Sequence, residues 1–269
     1  MVSIVQALRL NGVSCTFPAR AGAAAYTAVE KVDISVAEGE FVAVVGPTGC
    51  GKSTLLNVAA GLLAPSEGEV HVFGESLHDI NSRAGYMFQS EALMPWRTAR
   101  ENVMAGLEFR GVAANEALAR ANDWLRRVGL AAHGDKYPHQ LSGGMRKRAA
   151  LAQTLILDPK ILLMDEPFSA LDVQTRSLME NELLALWQQD RKSVLFVTHD
   201  LEEAISLSDR VVLLSAGPAS RPIGEFAIDL PRPRDVAEIR LTPKFLDLHR
   251  RIWDALRDEV QKAYAHALD

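Results

Sequence analysis

The sequence has 269 residues, of which 48% are hydrophobic and 23% charged, a globular composition that excludes a disordered chain, a collagen-like repeat and a disulfide-stapled miniprotein. At about 150 residues per domain the length suits two modest domains or one large one. Its 29 basic and 34 acidic residues leave a net charge of −5, so a broad nucleic-acid-binding surface is not expected.

The opening MVSIVQALRLNG lacks a basic region followed by a long apolar segment and a cleavage site, so no signal peptide is expected and the chain reads as unexported. No apolar run approaches about 18 residues, so no membrane-spanning helix is expected. The two cysteines, Cys15 and Cys50, suggest no disulfide framework and point to a reducing compartment such as the cytoplasm. Val32, Ile34 and Val36 alternate with polar neighbours, the pattern of a half-exposed antiparallel strand. Phe41–Val45 is continuously apolar, as are 161–164, 194–197 and 211–214. Unbroken hydrophobicity suits strands covered on both faces, hence an α/β fold with a mostly parallel sheet between helices.

Directly after the 41–45 strand comes Gly46-Pro47-Thr48-Gly49-Cys50-Gly51-Lys52-Ser53-Thr54, followed by helix-like 55–61. Strand, glycine-rich turn and helix are the setting of a phosphate loop. Glycines let successive N–H groups curl around phosphate oxygens, and the helix adds its positive end. Lys52 then reaches the β- and γ-phosphates, Ser53 ligates Mg²⁺ and Thr54 donates to an inner phosphate. The strand-like GYMF precedes Gln89. From about 90 to 158 the strand signal vanishes and 98–109, 115–128 and 145–157 read as helix, a helical subdomain inserted into the core. Within it, Ser142 and two glycines open a helix with a hydroxyl and bare N–H groups at a positive end, which favours anions. Arg146, Lys147 and Arg148 put three cations at that same end, unfavourably unless an anion or acidic partner lies near; the other reading is a solvated basic turn.

The strand at 161–164 ends in Asp165 and Glu166. Buried carboxylates need partners; Asp165 suits the waters around Mg²⁺ and Glu166 an attacking water. A further strand, VLFVT, precedes His199, and after Ser215 the Pro- and Arg-rich RPIGEFAIDLPRPRD reads as a linker. Thr242 and Pro243 then offer a cap and a first-turn proline for a long final helix. Its stripe of Phe245, Leu248, Ile252, Leu256, Val260, Ala263 and Ala267 recurs every three or four residues, which asks only for a neighbour to pack against.

Leu141-Ser142-Gly143-Gly144-Met145 resembles the signature of the ATP-binding cassette (ABC) ATPases, which other phosphate-loop families lack. The resemblance covers about residues 8–214, with a glutamine loop at Gln89, a D-loop at Ser169-Ala170-Leu171-Asp172 and a switch histidine at His199, in the expected order. It implies a nucleotide-binding core with an antiparallel β-subdomain (1–90 and 159–214), a helical subdomain (91–158) and a C-terminal linker and helical extension (215–269). It also implies MgATP hydrolysis, with Lys52, Gln89, Glu166 and His199 in the chemistry and Ser53, Gln89 and Asp165 around Mg²⁺. The signature is expected to cap ATP held by a second copy, giving a head-to-tail homodimer in which Asp172 links the two sites. An aromatic should stack on the base; Phe17 fits best by position and Tyr26 is the alternative, unless either belongs to the core. Met145 and Lys147 replace frequent glutamines of the family pattern, and Gln153 replaces a frequent arginine.

Met145 in LSGGMRKR, the MPWRTARENV segment and GEFAIDLPRPRD are similar to importer ATPases of the nitrate, sulfonate and taurine type. That similarity implies a peripheral subunit on the cytoplasmic face of the cell membrane, serving separate permease subunits and, indirectly, an extracytoplasmic solute-binding protein. The apolar patch of Leu93, Met94, Pro95 and Trp96 then reads as a permease socket centred on Trp96, with core packing the alternative. An exporter or lipid-transport ATPase, or a soluble non-transport ABC ATPase, is the other functional class. A small-molecule kinase would need neither the signature nor the D-loop.

Overall fold

The computed structural model describes residues 5–19, 25–90 and 92–266. Strands β1 (Gln6–Phe17) and β2 (Tyr26–Ala37) pair antiparallel, with Leu8 opposite Val36 and Phe17 opposite Tyr26. β3 (Phe41–Val45) leads through the glycine-rich turn into α1 (Lys52–Ala59). β4 (Glu67–Val72) and β5 (Glu75–Ser76) complete a four-stranded antiparallel sheet in the order β2-β1-β4-β5. After β6 (Ala84–Met87) the chain forms three helices, α2 (Ala99–Phe109), α3 (Ala114–Arg127) and α4 (Gly143–Leu155). β7 (Ile161–Asp165), α5 (Val173–Asp190), β8 (Ser193–Thr198), α6 (Leu201–Leu207) and β9 (Arg210–Leu214) return to the core. The main sheet runs β10-β9-β3-β8-β7-β6, with β10 (Pro222–Ala227) antiparallel at the edge and the other five strands parallel.

The parallel strands are apolar throughout because both faces are covered. Phe41, Ala43 and Val45 point into one cluster with α5, α6 and the final helix, while Val42 and Val44 point into a second with α1 and the antiparallel sheet. The two-residue period of a strand makes this division. A third cluster holds α2, α3 and α4 together around Val103, Leu107, Leu125 and Leu141, so the inserted helices have a core of their own. A capping box of Thr98 and Glu101 starts α2, and Ser142 starts α4 two residues earlier than periodicity alone suggests by accepting from the Met145 N–H.

The segment after Ser215 is built structure where composition suggests a linker. Pro222 opens an edge strand, where a missing N–H costs no ladder bond. Arg234 is buried and donates to the carbonyls of Ile205, Ser206 and Ser208, while Arg232 donates to Leu207 O and Asp209. These side chains satisfy the carbonyls that the end of α6 leaves without intrahelical partners. α7 (Val236–Ile239) follows, then α8 (Pro243–His266), whose Phe245, Leu248, Ile252 and Leu256 are buried in the same cluster as α6. Ala267 of the predicted stripe lies outside the described residues.

Candidate functional site

At the C-terminal ends of β3, β7 and β8 opens a cleft of about 530 Å³, the position at which open α/β sheets bind ligands. Its floor is the glycine-rich turn. Gly51, the N-cap of α1, has φ 93° and contributes no side-chain cap, so the first N–H groups of the helix face the cleft without an internal acceptor. A Cβ on Gly51 would stand 2.5 Å from Val29 Cγ1, so only glycine fits. Lys52 is buried and donates from Nζ to the carbonyls of Gly46 (2.8 Å) and Pro47 (2.9 Å). This holds the ammonium inside the turn with a third donor to spare. The Cys50 side chain is buried beneath the turn, and burial raises its thiol above the ordinary value, so it packs and does not react.

Ser53 Oγ donates to Asp165 Oδ1 at 3.1 Å. Burial pushes the Asp165 carboxyl up, partly offset by the Ser53 hydroxyl, with Glu166 adding to the rise and Lys52 opposing it. A hydroxyl and a carboxylate converging on one point are hard oxygen donors suited to Mg²⁺. Among the described residues no group of three His, Cys, Asp or Glu side chains forms a metal cluster.

Glu166 follows directly with φ 42°, a left-handed conformation rare for a side chain of this size, pinned by its N–H on Val197 O. Its Oε2 accepts from His199 Nδ1 at 2.9 Å and from Gln89 Nε2 at 3.4 Å. The turn carrying His199 is fixed below by the Thr198 hydroxyl, which donates to the buried Glu203 and accepts from the Asp200 N–H. Three strand ends thus bring three side chains together, with His199 and Gln89 both on one carboxylate oxygen of Glu166.

Phe17 and Tyr26 face each other across β1 and β2, 40% and 46% exposed, and both line the cleft beside Thr48 and Thr54. Both of the aromatics expected from the sequence thus stand at the cleft, with the Tyr26 hydroxyl 3.5 Å from Gly49 O. Leu141, Ser142, Gly143, Gly144 and Met145 do not line this cleft. They begin α4, with Leu141 buried and Met145 packed against the helical cluster. The three first-turn cations all find partners: Arg146 donates to Leu141 O, Lys147 to Gln89 O at 2.5 Å, and Arg148 pairs with Glu182. Ser169 donates to Glu166 O, Ala170 and the buried Leu171 follow, and Asp172 caps α5 by accepting from the Thr175 N–H. Of the 93–96 patch, Leu93 packs into the core and Trp96 stands 73% exposed, held in place because buried Asn102 bonds both Met94 and Arg97.

Sequence reasoning missed the grip of Lys147 on Gln89 and that of Arg176, which ties Leu171 O of the D-loop to Asp200 beside His199. Neither grip has a local signal, since Lys147 lies 58 residues from Gln89 and Arg176 lies 24 from Asp200.

The sequence profile of the ABC transporter family matches residues 29–169. An uncharacterized ABC transporter ATP-binding protein of Methanocaldococcus jannaschii is 48% identical over 88% of this chain and 86% of its own length. A bicarbonate transport ATP-binding protein of Synechocystis is 41% identical over 93% of this chain and 88% of its own. A taurine import ATP-binding protein of Rhizobium johnstonii is 39% identical over 91% and 94%. Among solved structures, an ATP-binding cassette captured as a dimer in a post-hydrolysis state with ADP and Pi superposes with a TM-score of 0.73 at 32% identity, covering 83% of this chain and all of that one.

Proposed function

The chain belongs to the ABC transporter ATPases, and on that footing we propose that it energises import of a small solute as one of two identical subunits beneath a separate membrane permease. The observation that carries the chemistry is the convergence of Gln89 and His199 on Glu166 beside the Ser53–Asp165 pair and the Lys52 turn. In this reading the 46–54 turn and the α1 N-terminus hold the phosphates of ATP, and Lys52 neutralises charge on the β- and γ-phosphates. Ser53 and Asp165, with Gln89 near, hold Mg²⁺, which supplies charge neutralisation across the phosphates when bound. Glu166 orients the attacking water and accepts its proton, while His199 and Gln89 fix that carboxylate and contact the γ-phosphate. Most of the rate gain comes from positioning and charge stabilisation.

Phe17 and Tyr26 offer ring faces to the base. The separation of the Leu141–Met145 signature from the cleft supports a head-to-tail homodimer, in which each signature and Asp172 meet the site of the second copy; the solved relative is itself a dimer. Relatives named for taurine import and bicarbonate transport favour a small oxyanion-bearing solute, such as nitrate, a sulfonate or taurine; an extracytoplasmic binding protein delivering that solute is part of the proposal. The relatives named as transport and import ATP-binding proteins support a peripheral place at the cytoplasmic face of the membrane, with Trp96 in the permease contact; no helix among the described residues is long and apolar enough to cross a membrane. The test is a pull-down of the tagged chain from gently solubilised host membranes. A multi-span permease in near-equal amount is expected. Recovery of ribosomal or DNA-repair proteins without a permease would overturn the transport assignment and leave the ATPase chemistry standing.

A further inference from the structure

The loop after β9 reaches back under the phosphate-binding turn from a part of the chain outside the segment that matches the family. Ser220 is fully buried, and its Oγ donates to Cys50 O within the turn. Its backbone is stitched to β2 as well. Ser220 N donates to Ala28 O, Glu30 N donates to Ser220 O and Ala219 N donates to Thr27 O, which forms a parallel bridge beside Tyr26 and beneath Gly51. Gly217 lies so close that a Cβ there would stand 3.3 Å from Gly49 O. On its other side the loop is held by α8, where Glu259 Oε2 accepts from Ala216 N at 2.8 Å and Glu259 Oε1 accepts from Lys262.

A phosphate-binding turn works by aiming N–H groups, so each of its carbonyls must point away and be satisfied elsewhere. The carbonyls of Gly46 and Pro47 face Lys52. That of Cys50, in the peptide unit that also carries the Gly51 N–H, faces Ser220. A bond to the carbonyl fixes the plane of that peptide and hence the direction of its N–H.

We propose that Ser220 is a positioning residue for nucleotide binding, orienting the Cys50–Gly51 peptide of the phosphate turn, and that Glu259 of α8 braces the loop that carries it. The inference rests on the cleft being the ATP site. It gives the C-terminal extension a role in affinity for the phosphates and none in the chemistry, because neither residue reaches Glu166 or the metal ligands.

The experiment compares the full-length chain with Ser220→Ala and Glu259→Ala. It measures equilibrium binding of MgATP and MgADP, amide hydrogen exchange of the 46–54 segment without nucleotide, and steady-state ATPase kinetics. For Ser220→Ala the expected result is a roughly 5- to 10-fold weaker Kd for both nucleotides, faster exchange confined to the turn, and a KM raised by a similar factor with kcat within about twofold, as the loss of one buried hydrogen bond to an unpaired carbonyl allows. Glu259→Ala should shift the same readouts in the same direction by a smaller factor. Nucleotide affinity and turn exchange unchanged in Ser220→Ala, even with a lowered melting temperature, would mean a purely structural serine and overturn the proposal. So would a fall in kcat at constant Kd. If the unaltered protein bound neither nucleotide, the reading of the cleft would fail along with the inference.

Discussion

Replacing Glu166 by Gln is the sharpest test of the site because the structure separates what the change removes from what it keeps. Gln is isosteric, so the backbone at φ 42° and the N–H bond to Val197 O stay as they are. One amide oxygen can still accept from His199, which now reaches Oε2 at 2.9 Å. The variant loses the charge and the ability to take a proton. General base catalysis is worth about 100- to 10,000-fold, or about 3–5 kcal/mol of barrier, and none of it touches the Lys52 turn or the Ser53–Asp165 pair. We expect phosphate release to slow by at least about 100-fold while MgATP binding stays within about threefold, measured by a coupled phosphate assay and by equilibrium titration on the same preparation. Turnover within tenfold of the unaltered chain would refute the assignment of Glu166. A parallel loss of binding would show that the carboxylate holds the nucleotide and has no separate part in hydrolysis.

Gly51→Ala should cost about 2–5 kcal/mol, adding left-handed backbone strain to overpacking against Val29. Gly49→Ala, with positive φ but open space around it, should cost only about 1–2 kcal/mol; equal losses in chemical denaturation would show that the close approach is irrelevant. Burial raises the carboxyls of Glu203 and Glu180 to about 7, with Asp200 reinforcing both shifts, Thr198 opposing the first and Arg240 the second. Both folded values exceed the ordinary 4.5, so between about pH 4.5 and 7 the native state binds protons that the unfolded state has released, and stability falls as pH rises through that window. Glu203→Gln should flatten the decline of melting temperature between pH 5 and 8, and an unchanged slope would count against it. Trp96→Ala, at an exposed position, should leave stability within about 0.5 kcal/mol and reduce recovery of the permease in the pull-down; undiminished recovery would remove Trp96 from the docking face.

Legibility in the sequence followed how local the deciding interactions are. β3, β7, β8 and β9 were readable because burial on both faces writes an unbroken apolar run. The phosphate turn was readable because strand, glycines, Lys52 and Ser53 are contiguous. β10 was not, since as an edge strand it alternates and carries Pro222, and Arg232 and Arg234 look like linker composition until α6 and Asp209 supply their partners. The meeting of Gln89, Glu166 and His199 came only from the order of family motifs, because no periodicity reports that three strands end side by side. The cations beginning α4 looked misplaced against a helix dipole. Tertiary partners overrode that local preference, above all the Gln89 carbonyl that takes Lys147.

That last contact gives the site a physical link to the surface on which a permease is proposed to act. Gln89 is held at both ends, its side chain against Glu166 and its carbonyl against Lys147 of α4. α4 shares one buried cluster with α2, and Asn102 of α2 pins the turn that presents Trp96. A displacement of the inserted helices relative to the sheet therefore cannot leave Gln89 where it is unless one of these bonds breaks. Its first casualty is the long 3.4 Å contact to Glu166, the weakest in the series. The shorter His199 bond would survive such a shift. On the proposed reading, a moving set of inserted helices would thus change how firmly the Glu166 carboxylate is held without dismantling the glycine-rich turn, so nucleotide would stay bound while hydrolysis is switched.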